Sequence, residues 1–318
     1  MDKFEVQEPN RLDKALSLEL DVSRNQVEKL IKESLVKVND KIITKTSYKV
    51  AIGDKIEYEF KEATAKESID VDFDVEVLYE DEYLLIVNKP SGLVVHPAPS
   101  VKEATLVDWL IKRGISLSTI SGEERHGIVH RIDKETTGAL VIAKDNQTHQ
   151  KLSLQLQDKS MGRYYLALID LPLKDDVIVD KPIARNPKNR LKMDIIPDGR
   201  DAKSAFVKLL TSPQNIELIS AKLYTGRTHQ IRVHLKSLSR HILGDDLYGY
   251  KPKKVTIPRV FLHAYMLYLI HPATGKKLEV VAPLFDDMLE FCHTSFSKDE
   301  LSCVLDATYI KNRFKSIS

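Results

Sequence analysis

The 318-residue sequence predicts a strand-rich α+β protein in two parts, and three observations predict it. Between Leu12 and Ile31 apolar residues recur at helical spacing, after which the chain changes to short alternating runs. An acidic stretch with no sustained period, Lys61–Asp74, interrupts the pattern. Beyond it, segments of alternating apolar residues outnumber the helical ones.

The first part is a compact unit. Leu12, Ala15, Leu16 and Leu20 mark one helical face, Ser23 is placed as an N-cap, and Val27, Leu30 and Ile31 mark a second helix ending near Glu33. Leu35, Val36 and Val38 lead into an Asn39-Asp40 turn, and Ile56, Tyr58 and Phe60 alternate after Gly53-Asp54. The boundary is expected near residue 70. Strands are expected at Val75–Tyr79 and Tyr83–Val87, leading into the rim loop NKPSGLVVHPAPS, whose prolines cannot join a ladder. Leu106, Val107, Trp109 and Leu110 suggest a short helix.

The segment His126–Lys144, HGIVHRIDKETTGALVIAK, reads as strand, loop and strand, with Arg131 and Asp133 where the first strand ends. A polar helix follows at Gln147–Gln157, with Leu152, Leu154 and Leu156 partly inward. Neighbouring residues of the next strand, Arg163–Ile169, face opposite ways, so one of Tyr164 and Tyr165 faces the core or a cleft and the other faces out. Strands near Ala202–Leu210 and Ile216–Tyr224 precede TGRTHQIRVHLKSL, read as a turn bearing Arg227 and a helix capped by Thr228. Strands at Phe261–Ile270 and Lys277–Val281 follow, and the residues from about 295 look like a polar appendage.

Composition narrows the function. Two cysteines, Cys292 and Cys303, write no disulfide framework or thiolate zinc site into the fold. With no secretion-signal pattern and no apolar run of spanning length, a cytoplasmic location away from membranes is expected. The net charge of +2 hides an asymmetry: Lys181–Lys254 holds sixteen Lys and Arg against six acids, a footprint suited to a polyanion. Phosphate-loop, dinucleotide and nucleophile-elbow motifs are missing from the sequence. His126 and His130 have a zinc-like spacing, but in a strand it separates them by about 13 Å, so no metal site is expected.

Residues 11–60 resemble the alpha-L (S-four-like) RNA-binding domain, through Arg11-Leu12-Asp13, Ser23-Arg24, Val36-Lys37-Val38-Asn39 and Gly53-Asp54. The resemblance implies RNA-phosphate contacts from Arg24, Lys29, Lys32 and Lys37. HRIDKETTGALVIAK, NKPSGLVVHP, RYYLAL and TGRTHQIRVHL resemble the RluA-type pseudouridine synthases, and the attached module makes the chain most similar to the RluD and RluC branch. The domains expected on this basis are 1–62 for RNA binding, 63–74 as linker, 75–295 for catalysis and 296–318 as appendage.

What this family implies is a mixed, mainly antiparallel central sheet flanked by helices and loops, and isomerisation of uridine in structured RNA without cofactor or metal. The resemblance places the catalytic Asp on Asp133, the cleft tyrosine on Tyr165, the arginine that pairs with the Asp on Arg227, and the side chain that fills the flipped base's space on Arg131. His130, Arg185 and Arg190 are expected on the RNA side. Large-subunit ribosomal RNA is the expected substrate and a monomer the expected state. Transfer RNA as substrate, a non-catalytic RNA-binding assembly factor and a base-releasing glycosylase remain the alternatives.

Overall fold

The computed structural model describes residues 2–20, 24–59, 70–97, 101–118, 126–251 and 257–317. They form two compact units, one reaching to Asp70 and including His126, the other running from Val71 to Ser118 and onward from Gly127.

In the first unit, β1 (Asp2–Glu5), β2 (Asn10–Arg11), α1 (Leu12–Glu19), α2 (Arg24–Lys32), β3 (Val36–Val38), β4 (Lys41–Ile42), β5 (Lys49–Val50) and β6 (Lys55–Tyr58) enclose a small core. The sheet order is β1-β6-β3-β4, with β2 and β5 as a separate ribbon. Leu12, Leu16, Val27 and Ile31 are fully buried against Val36 and Ile56, so the helical periodicity read from sequence is the packing face. Asn39 and Asp40 both take positive φ, as a tight hairpin turn requires. Ser23 lies outside the described residues.

The second unit contains β7 (Glu76–Glu80), β8 (Leu84–Lys89), α3 (Leu106–Lys112), β9 (Thr137–Ala143), α4 (Asn146–Asp158), β10 (Gly162–Ile169), β11 (Val177–Asp180), β12 (Ile183–Arg185) and β13 (Met193–Ile195). It continues with β14 (Lys203–Thr211), β15 (Glu217–Leu223), α5 (Gln230–Ser237), β16 (Leu262–Ile270), β17 (Lys277–Val281), α6 (Asp286–Ser295), α7 (Lys298–Val304) and α8 (Ala307–Lys315). Nine strands make one sheet in the order β11-β14-β15-β10-β16-β9-β8-β7, with β17 on the end of β16. Its pairs are antiparallel except β16 with β9, so the sheet is mixed and mainly antiparallel.

Each half of the sheet is covered on both faces, which explains why β8, β9 and β10 are buried at every position. One face of β10, β14 and β15 packs under α6–α8, and the other carries Tyr165, Phe206 and Ile219 toward α5. On the β7–β9 half, α3 covers Leu85, Val87 and Leu140, while Leu152 of α4 packs with Leu84 and Ile86.

The structure corrects several expectations. His126–Ile132 forms no strand: only Ile128 bridges to Ile142, and the chain then departs as a loop toward the cleft. Residues 296–318 are no polar appendage, because Leu301, Val304, Ile310 and Phe314 are inserted in the core beneath the sheet. Val71 and Phe73, expected in the linker, pack with α3, and Asp74 accepts the Trp109 indole N–H at 3.0 Å. On α4, Leu152 is buried and Leu154 is exposed, since two helical residues lie about 200° around the axis. The cap of α5 is His229 rather than Thr228.

The two sheet halves meet through two residue pairs, His263 with Thr137 and Ala264 with Gly138. Gly138 has φ +110°, and a Cβ there would lie 2.4 Å from the Ala264 carbonyl oxygen. Beside it the Thr137 hydroxyl meets His263 Nδ1 at 2.8 Å, while His263 Nε2 faces the Ala282 carbonyl at 3.1 Å. A carbonyl only accepts, so Nε2 carries the proton and Thr137 donates to Nδ1. Burial, the largest influence, brings the His263 pKa down to about 4.

Gly138→Ala is expected to destabilise the second unit by more than about 3 kcal/mol, measured by urea unfolding, because rigid backbone must move. His263 gives a pH signature. Above pH 6.5 it is neutral whether folded or unfolded and its contribution is complete; between 6.5 and 4 only the unfolded chain takes up the proton, so stability falls with pH. The loss approaches about 3 kcal/mol at the acid end of that window. Urea midpoints across pH should show this slope, reduced in His263→Gln.

Candidate active site

The loop leaving Ile128 places Arg131 outward, Ile132 in the core and Asp133 on the floor of a cleft, with 18% of the Asp133 side chain exposed. Thr136 N–H donates to Asp133 O at 3.1 Å and closes a turn. That turn is held from behind by the NKPSG segment. Gly92 N–H donates to Lys134 O at 3.0 Å, the Ser91 hydroxyl donates to Glu135 O at 3.2 Å, and Lys89 Nζ donates to Lys134 O at 3.0 Å. Lys89 also donates to Pro90 O at 2.7 Å and Leu93 O at 2.9 Å, so its three donors all have carbonyl acceptors. It is fully buried, and burial brings its pKa down to about 7 although Asp133 and Glu135 act to raise it.

The facing wall comes from β10, β15 and α5. Tyr164 packs among Tyr268 and Phe314 on one sheet face, whereas Tyr165, two residues after Arg163, lines the cleft on the other. Burial raises the Tyr165 pKa, so the phenol is neutral. Gln230 fixes the turn before α5: its Oε1 accepts Arg227 N–H at 2.9 Å and the Thr225 hydroxyl at 2.8 Å, while Nε2 donates to Lys203 O and Ser204 Oγ.

Arg232 is gripped from behind by Asp245, with two hydrogen bonds of 2.7 Å, and offers Nη1 to Asp133 Oδ2 at 3.4 Å. His229 Nε2 lies 3.9 Å from the other Asp133 oxygen. Tyr248 braces both neighbours. Its hydroxyl accepts Met193 N–H at 2.8 Å and meets His229 Nδ1 at 2.8 Å, and its ring lies 4.9 Å from the Arg232 guanidinium carbon. Burial is the largest influence lowering the His229 pKa. The resulting cleft has a cavity volume of about 80 Å³, is open on one side, and is lined by Arg131, Arg163, Arg227 and Arg232 against a single carboxylate, Asp133.

The site residues expected from sequence therefore divide. Asp133, Tyr165, Arg131 and Arg227 share the cleft. Arg227 does not pair with Asp133, however: it precedes α5, and its Nε donates to Asp201 O at 2.9 Å. The arginine that reaches Asp133 is Arg232, brought inward beside Asp245 by the first turn of α5. His130 is turned toward β9, with Nε2 accepting Val141 N–H at 3.3 Å and Nδ1 buried. Arg185 and Arg190 are exposed on the β12–β13 hairpin, apart from the cleft lining. In the first unit Lys32 is exposed beside Glu28, and Lys37 is half-buried on β3. The side chains of Arg24 and Lys29 lie outside the described residues.

Sequence reasoning passed over Arg232, His229, Asp245, Tyr248 and Lys89. The strongest available signals were the second arginine of GRTHQIR and the paired acids of LGDDLYG, close enough in sequence for a turn to fold back on a helix. Lys89→Met is expected to destabilise the second unit by about 3 kcal/mol, measured by urea unfolding, because three buried carbonyls lose their donor.

Residues 83–237 match the RNA pseudouridylate synthase family, and residues 10–56 match the S4 domain. An RNA pseudouridine synthase of Helicobacter pylori is 48% identical over 314 residues, covering 96% of this chain and 95% of that protein. The ribosomal large subunit pseudouridine synthase D of Zymomonas mobilis is 38% identical, covering 87% and 91%. Among solved structures, human RNA pseudouridylate synthase domain containing 1 superposes with a TM-score of 0.56 at 25% identity, covering 74% of this chain and 95% of that one. The isolated carboxylate in an arginine-lined cleft, the nine-stranded mixed sheet around it and these relatives agree: the chain belongs to the RNA pseudouridine synthases, isomerases of uridine in RNA, and carries an S4 RNA-binding domain.

Proposed function

We propose that this enzyme converts uridine to pseudouridine in large-subunit ribosomal RNA, with Asp133 as the reacting carboxylate. The observation that carries the residue assignment is the Asp133 carboxylate standing between Arg232 and His229 across a cleft from Tyr165. The ribosomal assignment draws on the similarity to the ribosomal large subunit pseudouridine synthase D of Zymomonas mobilis.

The geometry suggests a division of labour. A uridine must leave its stack to reach Asp133, at a cost of a few kcal/mol that aromatic stacking and phosphate contacts offset. Tyr165 supplies the stacking surface. Arg131, exposed at the rim, enters the space that the base vacates. Arg232 keeps the Asp133 carboxylate oriented, its own charge fixed by Asp245. The first unit, with Lys32 and Lys37, and the hairpin bearing Arg185 and Arg190 hold RNA phosphates.

The test is a map of pseudouridines by carbodiimide-blocked primer extension on ribosomal RNA. The RNA comes from cells lacking the gene, alone or carrying the wild-type gene or Asp133→Asn. Large-subunit stops are expected to vanish on deletion and to return with wild type only. The purified Asp133→Asn protein should be slower by about 10⁴-fold or more. Stops restored by Asp133→Asn overturn the catalytic assignment; stops lost only from transfer RNA overturn the ribosomal one.

A further inference from the structure

Arg163 differs from the other buried cations around the cleft. It lies on β10 two residues before Tyr165, so both side chains leave the strand on the same side and line the cleft. It is 8% exposed, and its Nε is buried without a hydrogen-bond partner. Among the described residues its guanidinium makes no hydrogen bond or ion pair. Lys89 has three carbonyls, Arg232 has two carboxylates, and Arg259 holds Asp287 through contacts of 2.6 and 2.8 Å. Of the titratable groups near Arg163, His130, Tyr165 and Tyr268 are kept neutral by burial, and Asp133, the carboxylate that shares its cleft, is paired with Arg232 and makes no ion pair with it. A guanidinium withdrawn from water without a counter-charge is costly, and its place on the cleft wall points to a negative charge that arrives during the reaction.

We propose that Arg163 is a catalytic residue that pairs with the uracil anion formed when the glycosidic bond breaks, an inference that rests on the function proposed above. When C1′–N1 breaks, its electron pair leaves with the base. Asp133 either bonds to C1′ or takes the C2′ proton, and both routes leave a uracil anion with charge shared among N1 and the carbonyl oxygens. The ring turns, C5 bonds to C1′ and the Asp133 step reverses. C5 then loses a proton and N1 gains one, so the net change is an isomerisation. The anion exists only between the two bonds to C1′, in a space walled by Tyr165, and its charge moves as the ring turns. A delocalised fork of five donors suits such a charge, while Arg232 is already committed to Asp245 and Asp133. Because the uncleaved base carries no such charge, the interaction favours the transition state over the bound substrate.

Phosphates of the flipped nucleotide are the other source of anionic oxygen, and the measurements separate the two. Arg163→Met and Arg163→Lys are compared with wild type on ribosomal RNA from cells lacking the gene, in single-turnover assays, RNA-binding titrations and thermal unfolding. Arg163→Met is expected to lower the single-turnover rate by about 10²–10³-fold, to leave the RNA Kd within about threefold, and to raise Tm, because no partner is orphaned. Arg163→Lys, which keeps the charge, is expected to fall between the two in rate. An Arg163→Met enzyme as fast as wild type overturns the proposal. So does a Kd weakened as much as the rate falls, which assigns Arg163 to phosphate, or a lowered Tm with Arg163→Lys equally slow, which assigns it to the fold. A wrong substrate assignment shows separately, as a wild-type enzyme silent on this RNA.

Discussion

The catalytic unit depends on one close approach of two backbones. β9 and β16 are the only parallel neighbours in the described sheet, and they touch over two residue pairs. A side chain at Gly138 would collide with Ala264. This seam joins two half-sheets, each covered by its own helices, and Asp133 lies four residues before its first pair. The Asp133 carboxylate is therefore carried on the loop that leads directly into the line where two separately packed layers are joined. Thr137 and His263 add a hydrogen-bonded chain at the same line, ending on the Ala282 carbonyl.

Around that seam the buried cations follow one rule with one exception. Lys89 ties the NKPSG loop to the Asp133 turn through carbonyls. Arg232 is anchored by Asp245 before it turns toward Asp133. Both are satisfied by the protein itself, and removing either would strand polar partners in the interior. Arg163 has nothing to strand. The cleft thus holds positive charge in two forms, one fully committed to structure and the other uncommitted until a reaction supplies its partner.

Much of this was legible in the sequence. Helical spacing at Leu12–Leu20 and Val27–Ile31 became buried helix faces because a small unit has few other ways to cover its core. Adjacent tyrosines at 164 and 165 did part to opposite faces, as strand geometry demands. Less legible was anything that depended on a long-range neighbour. Ile128–Ile132 alternates like a strand, yet after Ile128 has bridged to Ile142 the chain turns away into the loop that carries Asp133. Arg227 and Arg232 sit on one short segment, and only the fold of the distant Asp245 turn decides which of them meets Asp133. The C-terminal residues look polar as a string because Leu301, Val304, Ile310 and Phe314 are spread among charged neighbours; on two short helices they become a single apolar face.

Those last helices set an order on biosynthesis. Every side chain of the cleft has been made by residue 262, but the layer beneath β10, β14 and β15 is not closed until Phe314 arrives. A nascent chain that has already exposed its arginines and Asp133 still lacks the support that holds β10, and with it Arg163 and Tyr165, in place. Domains of this size tend to fold as units during synthesis, so the cleft takes shape only after the cationic surface has been translated. Competence for catalysis is in this sense conferred by a segment that lines no part of the cleft.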